Sequence, residues 1–479
     1  MAKISEQAYW VAVRQDLKVF MQQAFGTIYP GKEFMDNWHI DAIVHHLTLA
    51  ILGKQPRLIV NLPPRQLKSF IVSVVLPAFI LGRDPTAKII CISYSDELAK
   101  TLSRDFKRIV ESRWYRRCFP HLRTMKSTEG EFQTDQGGSR YATSVGGSLT
   151  GRGGDFIIID DPIKAEDAHS DKARESTNEW YRSTLLSRLD DKKRSVLIIV
   201  MQRLHVNDLT GFAGAGGGFH KLALPAIASR DEHIATGAPE PYFRREGELL
   251  HEAWEDAQTL ARLRVDLGSY NFASQYQQHP ETPEGGMFKR KWFKIVDREP
   301  PFTRYGHWFV TIDSAQSTEV TADYSVISLV YGDRGGYCVI HSERGRWDYE
   351  ALKDKALGYR RRITGDLYYI VENAGSGISL IYALRTAGLR CFDYKPKTSK
   401  IGRAAQALPI IESGRVQILS LAGRNQWVEP YINEFVTFPF GRYDDQVDSL
   451  TQLLPWAELR VNPGGSYFKP GDLLKEQPA

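Results

Sequence analysis

Two groups of residues in this 479-residue chain have types and spacings suited to phosphate chemistry. The first begins with NLPPRQLKS (61–69), which follows the apolar run RLIVNL and precedes another apolar stretch. It reads as a loop from a strand into a helix, where backbone N–H groups and the positive helix end hold phosphates. Pro64, Arg65, Gln66 and Leu67 would form the cradle, Lys68 would reach the β- and γ-phosphates, and the Ser69 hydroxyl would ligate Mg²⁺. The spacing departs from GxxxxGK[ST]: the first Gly is replaced, and Leu67 stands at the second, where a side chain disfavours a left-handed backbone. Alone, a Lys-Ser pair at a helix start is also an ordinary surface feature. FIIIDDP (156–162) is an apolar strand ending in two acids. Asp160 would hold Mg²⁺ and Asp161 would polarise the attacking water, although an acid before Pro-Ile also caps a helix well. SVLIIVMQR (195–203) ends in Gln202 and Arg203, where a γ-phosphate sensor or coupling element would lie. Arg152, in the Gly-rich TGRGGD, is either an arginine finger acting in cis or in trans, or a solvated loop arginine.

The second group is a set of acids at strand ends. Asp313 ends HWFVTID (307–313), and Glu372 ends LYYIVE (367–372). Asp444, Asp445 and Asp448 open a helix in YDDQVDSL, with Asp445 and Asp448 on one face and Asp444 as the alternative to Asp445. Converging carboxylates repel one another unless divalent metals neutralise them, which is the logic of two-metal phosphodiester hydrolysis. Oxygen-only ligands favour Mg²⁺ or Mn²⁺ over zinc. Asp323 is a weaker candidate that reads as a turn residue.

The elements that must position these residues are legible from texture. Residues 1–55 carry helical spacing in Trp38, Ile40, Ile43, Val44, Leu47 and Ile51. RLIVNL (57–62), KIICISY (88–94), DFIIID (155–160) and SVLIIV (195–200) are strands without polar alternation, as in a parallel sheet covered on both faces. Residues 1–228 therefore read as one α/β domain. Residues 229–300 are polar, contain one convincing helix near Glu255–Leu267, and read as a linker or small subdomain. In 301–460, SVISLVYG (325–332) and GYCVIHSE (336–343) follow HWFVTID and are joined by the hairpin signal GDRGG. Three antiparallel strands and then alternating helix and strand is the order of an RNase H-like mixed sheet. Residues 461–479 read as a flexible tail.

Composition agrees. Hydrophobic residues are 42% and charged residues 25%, which excludes a fibrous or mainly disordered chain. The net charge of +5 permits a nucleic-acid partner without requiring one. The four cysteines (Cys91, Cys118, Cys338, Cys391) are too dispersed for a zinc ribbon or disulfide scaffold. The N-terminus lacks a signal-peptide core, and the longest apolar run, Phe70 to Leu81, is too short for a bilayer and contains Pro77. A soluble cytoplasmic protein is expected.

A chain with PPRQLKS and IIIDD followed by Asp313, Glu372 and DDQVD resembles the large subunit of tailed-phage terminases. The segments MQRLHVNDLTG (201–211), SYNFASQYQQHPETPEGGMFKRKWF (269–293) and FPFGRYDDQVDSL (438–450) carry the resemblance further, over roughly residues 35–458. It implies an N-terminal P-loop (RecA/ASCE-like) ATPase domain and a C-terminal RNase H-like nuclease. Together they package double-stranded DNA into a procapsid and cut the concatemer. By resemblance, Lys68 and Ser69 are the phosphate-loop pair, Asp160 is the Walker B metal acid, and Asp161 is the catalytic carboxylate, often Glu in the family. Arg152 lies near a trans-acting arginine of some members, and Asp313, Glu372, Asp445 and Asp448 are the nuclease metal ligands. The implied cofactors are ATP and Mg²⁺, with Mn²⁺ an option in the nuclease. The implied partners are double-stranded DNA, a small terminase subunit and the portal, on which a homo-oligomeric ring assembles from a protein that is a monomer in solution. The implied place is the host bacterial cytoplasm, with transient docking on the procapsid and absence from the mature virion.

Two readings compete. One is a helicase or repair translocase with a fused nuclease, which lacks a second RecA-like domain here. The other is a prophage relic that binds DNA without hydrolysing anything, which the intact acids oppose. For DNA contacts the basic-aromatic stretches are SRWYRR (112–117), FKRKWFK (288–294) and YRRR (359–362), with FKRKWFK preferred for its place beside the nuclease. Each also reads as a solvated face. Trp38 and His39 are adenine-contact candidates, with a core role as the simpler reading for Trp38.

Overall fold

A computed structural model describes residues 5–280, 286–303, 305–314, 324–422 and 425–461. Asp323 and residues 462–479 of the expected tail lie outside the described residues. The chain divides into two units: residues 1–261 with 271–281, and residues 262–270 with 282–479. The stretch 229–300, read from sequence as a linker or small subdomain, contributes residues to both units.

The first unit opens with α1 (Glu6–Gln15), α2 (Leu17–Ile28) and α3 (Trp38–Ile51). Asp16 breaks α1 from α2 and caps the latter, accepting from the N–H groups of Lys18 and Val19. The periodic apolar residues Phe20, Met21, Ile40, Ile43 and Leu47 are fully buried. The strands are β1 (Arg57–Asn61), β2 (Lys88–Ser93), β3 (Thr124–Ser127), β4 (Glu131–Thr134), β5 (Ser139–Ser144), β6 (Phe156–Asp160), β7 (Val196–Met201) and β8 (His220–Ala223). They form one sheet in the order β3-β4-β5-β2-β6-β7-β1-β8, parallel except for the β3-β4-β5 meander. The near-continuous apolar runs have a direct explanation. Ile158, Ile198 and Val200 enter the core on one face, while Ile157, Ile159, Leu197 and Ile199 enter the core on the other. The covering helices are α4 (Leu76–Arg83), α5 (Asp96–Val110), α6 (Arg113–Cys118), α7 (Asp171–Trp180) and α8 (Leu209–Ala215). A two-stranded ribbon, β9 (Glu232–Ile234) with β10 (Tyr242–Arg244), follows. Then comes α9 (Ala257–Gln275), broken at Gly268 (φ 74°, ψ 159°), so its first part ends where the sequence expected, at Leu267.

The second unit contains β11 (Lys294–Val296), β12 (His307–Asp313), β13 (Ser325–Asp333), β14 (Gly336–Gly345), α10 (Tyr349–Arg362) and β15 (Leu367–Glu372). They are followed by α11 (Ser376–Thr386), β16 (Arg390–Tyr394), α12 (Lys400–Glu412), β17 (Val416–Leu419), α13 (Val428–Thr437) and α14 (Asp445–Val461). The sheet order is β11-β17-β14-β13-β12-β15-β16. β12, β13 and β14 are antiparallel, and β15 returns parallel beside β12. Phe309, Val330 and Ile370 pack with α12, α13 and α14, while Val310, Ile312 and Val371 face the core shared with α10 and α11. The mixed sheet with its first and fourth strands adjacent is the expected arrangement. Among the described residues no helix is long and apolar enough to cross a membrane.

Candidate active sites

In the first unit, β7 lies between β1 and β6, so the loop after β1 and the acids ending β6 flank the end of β7. The chain turns sharply after β1: Arg65 (φ 62°) and Leu67 (φ 57°) both take the left-handed backbone. Leu67 thus adopts the conformation that its side chain disfavours, at a local cost of about 1–2 kcal/mol. Its side chain packs against the helical core, and the Gln66 amide donates to Glu255 over 2.9 Å, which together hold the loop. A π-helical turn, Phe70–Val75, then leads into α4. Strain of this kind concentrates at functional sites.

Lys68, Ser69, Asp160 and Asp161 meet here. The Ser69 hydroxyl donates to one Asp160 oxygen over 2.9 Å, and Ser73 donates to the other over 2.7 Å. Lys68 Nζ lies 3.3 Å from Asp161 Oδ2. Burial and the Asp161 charge push the Asp160 carboxyl up to about 7, opposed by Ser73, Lys68 and Ser69. Asp161 has φ 44°, and its backbone N–H donates to Val200 on β7. The Ser69 hydroxyl and the Asp160 carboxylate are hard oxygen donors, which fits Mg²⁺. Gln202 donates its backbone N–H to Asp161, and its buried side-chain oxygen has no protein partner among the described residues. Arg203 is committed elsewhere: its Nε donates to both Asp208 oxygens, over 3.1 and 2.9 Å.

Sequence reasoning passed over two residues at this site. Glu255 touches the phosphate loop through Gln66, and burial pushes its carboxyl up to about 7. Gln278 is buried with φ 54° and accepts from the Arg203 backbone N–H over 2.9 Å. Gln277 pairs with both backbone groups of Ile227, so QYQQHP braces the segments that follow β7 and β8. The quoted motif was the signal for Gln278; nothing in the sequence singled out Glu255.

Arg152 sits away from this cluster. It donates to Glu131 over 2.6 Å and stacks 3.9 Å above the Tyr141 ring, and its side chain remains 38% exposed. The Arg152 bond holds the Glu131 carboxyl down at about 2. Trp38 stacks on Tyr242 at 4.5 Å, and His39 is buried beside His251.

In the second unit, the register pairs Ile312 with Val371, which leaves Asp313 and Glu372 at neighbouring strand ends. α14 crosses the same end. Thr311 donates to the Ser449 carbonyl over 2.8 Å, and Gln452 donates to Thr311 over 2.8 Å. Asp313 is pushed far above the carboxylate range by burial and by the charges of Asp448, Glu372 and Asp445. Glu372 is raised by burial, with Arg403 opposing. Asp448 lies 2.5 Å from Arg403 Nη2 and 2.9 Å from Lys400 Nζ, two cations on α12 that the sequence reading passed over. Asp444 pairs with Lys400 at 2.7 Å, and Asp445 is among the charges that raise Asp313. As placed, no three His, Cys, Asp or Glu side chains among the described residues are arranged to hold a metal ion. The donor chemistry still fits one: the acids are all-oxygen, and their mutual repulsion at Asp313 is what a hard divalent cation relieves. Of the basic stretches, FKRKWFK buries Phe288, Trp292 and Phe293 and exposes Lys289, Arg290, Lys291 and Lys294. YRRR likewise buries Tyr359 beneath three exposed arginines.

No family model and no curated protein matches the chain. Solved structures do. A large terminase from a thermophilic bacteriophage is similar at 10% identity and a TM-score of 0.52, covering 87% of this chain and 98% of that one. The same protein in complex with ATP-gamma-S is similar at 11% identity and a TM-score of 0.50, covering 86% and 98%. The chain has the fold of a phage large terminase.

Proposed function

We propose that this chain is a phage or prophage terminase large subunit: an ATP-driven motor that moves double-stranded DNA into a procapsid, and an endonuclease that cuts the concatemer. The observation that carries this reading is the presence of both clusters in one chain: Lys68, Ser69, Asp160 and Asp161 in the first unit, and Asp313, Glu372, Asp445 and Asp448 in the second. The solved terminase that binds ATP-gamma-S supports nucleotide as the ligand of the first. A second RecA-like sheet, which a helicase would add, is not the architecture of the second unit.

In the motor, the loop from Pro64 to Leu67 would wrap the phosphates, with Lys68 swinging from Asp161 to the γ-phosphate. Release of Lys68 frees Asp161 to orient and polarise the attacking water, with Gln202 beside it. Arg152 would act in trans on a neighbouring subunit of a ring on the portal. In the nuclease, Asp313, Glu372, Asp445 and Asp448 would hold two divalent ions, while Lys400 and Arg403 keep Asp448 oriented. At either site a bound divalent cation supplies Lewis acidity towards phosphate oxygens. The exposed lysines of FKRKWFK would meet DNA phosphates, and a small subunit would bring the viral DNA. The test is ATP turnover and plasmid cleavage in Mg²⁺ or Mn²⁺ by one purified protein. Absence of both would overturn the reading.

A further inference from the structure

The acid proposed to hold the cation at the first site has a second partner. Asp160 is buried, and Ser69 accounts for one of its oxygens. The other accepts from the Ser73 hydroxyl over 2.7 Å. Ser73 is itself buried and stands four residues after Ser69, inside the π-helical turn Phe70–Val75. Turns of this kind are rare and gather at functional sites. A carboxylate that lends one oxygen to a cation needs the other held, or it rotates out of the ligating geometry.

The turn is anchored from the sheet. Arg140 on β5 is buried, and its Nη2 donates to the Ser73 carbonyl over 3.0 Å. Its guanidinium lies 4.9 Å from the centre of the Phe106 ring. β2 runs between β5 and β6, and its Cys91 thiol feels the charges of both Arg140 and Asp160. Among the described residues no acid accepts from Arg140 Nε or Nη1. A guanidinium buried without an ion pair costs stability, and an apolar side chain of similar volume would pack there at less cost. Packing therefore does not account for Arg140, whereas its bond to the residue that holds Asp160 does.

Resting on the nucleotide reading above, we infer that Ser73 is a positioning residue for the cation of the first site: it holds Asp160 Oδ2 so that Oδ1 stays beside the Ser69 hydroxyl, and Arg140 fixes the turn that carries it. The ligand is a hard divalent cation that arrives with a nucleotide. Ser73 and Arg140 act on it through Asp160.

The test is titration of Mn²⁺ into the full chain with and without ADP, read from the electron paramagnetic resonance of free Mn²⁺. The binding that appears only with ADP belongs to this site. Ser73→Ala is expected to weaken it about 10- to 100-fold, and Arg140→Met to weaken it in the same direction. Arg140→Lys, which keeps a donor for the Ser73 carbonyl, is expected to stay closer to the parent than Arg140→Met. The melting temperature of Ser73→Ala in EDTA is expected to stay within a few degrees of the parent's. ADP-dependent Mn²⁺ binding as tight in Ser73→Ala as in the parent overturns the inference and leaves the nucleotide reading intact. A Ser73→Ala chain that is unfolded without metal makes the serine a residue of the fold alone and also overturns it. Absence of ADP-dependent Mn²⁺ binding in the parent overturns both readings.

Discussion

The Ser69 hydroxyl and the Asp160 carboxylate lie 2.9 Å apart although 91 positions separate them. One ends the loop after β1 and the other ends β6, and β7 runs between those two strands. Parallel order across three adjacent strands places every loop of this kind at the same sheet edge. Topology therefore brings together the hydroxyl and the acid proposed to hold a phosphate-bound cation.

The left-handed Leu67 gives the first prediction. Its φ of 57° is already present, so Leu67→Gly relieves strain and keeps nucleotide binding within about threefold. Leu67→Val places a β-branched residue in the same backbone, where it is more strained than leucine. It is expected to weaken binding by about tenfold, on the order of 1–2 kcal/mol. Nucleotide titration of the two variants checks this, and equal weakening by both would contradict it. Lys68→Ala is expected to lower turnover on the order of 100-fold or more.

Glu255 predicts a pH effect on stability. Burial raises its carboxyl from an ordinary 4.5 to about 7, so the folded protein holds a proton that the unfolded chain releases. Its contribution to stability is fully present below about pH 4.5 and is lost as pH rises to about 7. Glu255→Gln keeps an acceptor for Gln66 and removes the titration. The variant should match the parent at pH 5 and exceed it at pH 8 by on the order of 1 kcal/mol, read from melting curves. A stability difference independent of pH would exclude this account.

The crowded acids of the second unit predict metal-linked stability. Asp313 is raised by burial and by three neighbouring carboxylates, so Asp313→Asn should raise the metal-free melting temperature by a few degrees. Mn²⁺ at about 100 times its Kd should stabilise the parent by about 2.7 kcal/mol and leave the variant almost unchanged. Equal stabilisation of both would remove Asp313 from the ligand set.

Arg152 predicts a difference between the free and assembled protein. Its bond to Glu131 is partly exposed, so Arg152→Ala should cost under about 1 kcal/mol of stability. Turnover by the isolated subunit should be unchanged, while turnover on a portal should fall on the order of 1000-fold. Loss in the isolated subunit would place the arginine in cis.

Much of this site was legible because strands and their terminal residues are local features. FIIIDDP, HWFVTID and LYYIVE each announce a buried strand and the acid at its end. The remainder depends on contacts between distant positions. Lys400 and Arg403 sit on a helix whose sequence gives no hint that it abuts Asp448, 45 residues downstream of Arg403. Glu255 meets Gln66 across 189 positions. Leu67 shows the converse: local propensity opposed the backbone that the packing around the loop enforces. Arg203, read in sequence as part of a γ-phosphate sensor or coupling element, is held by Asp208, five residues on, in a turn that periodicity does not reveal.

On the proposed reading, one chain holds two independent phosphate-processing sites. The direct measurement is plasmid cleavage in Mn²⁺ run beside ATP hydrolysis, for the parent, Lys68→Ala and Asp313→Ala. Lys68→Ala should lose hydrolysis and keep metal-dependent cleavage, and Asp313→Ala should do the reverse. Retention of both activities in both variants would contradict it.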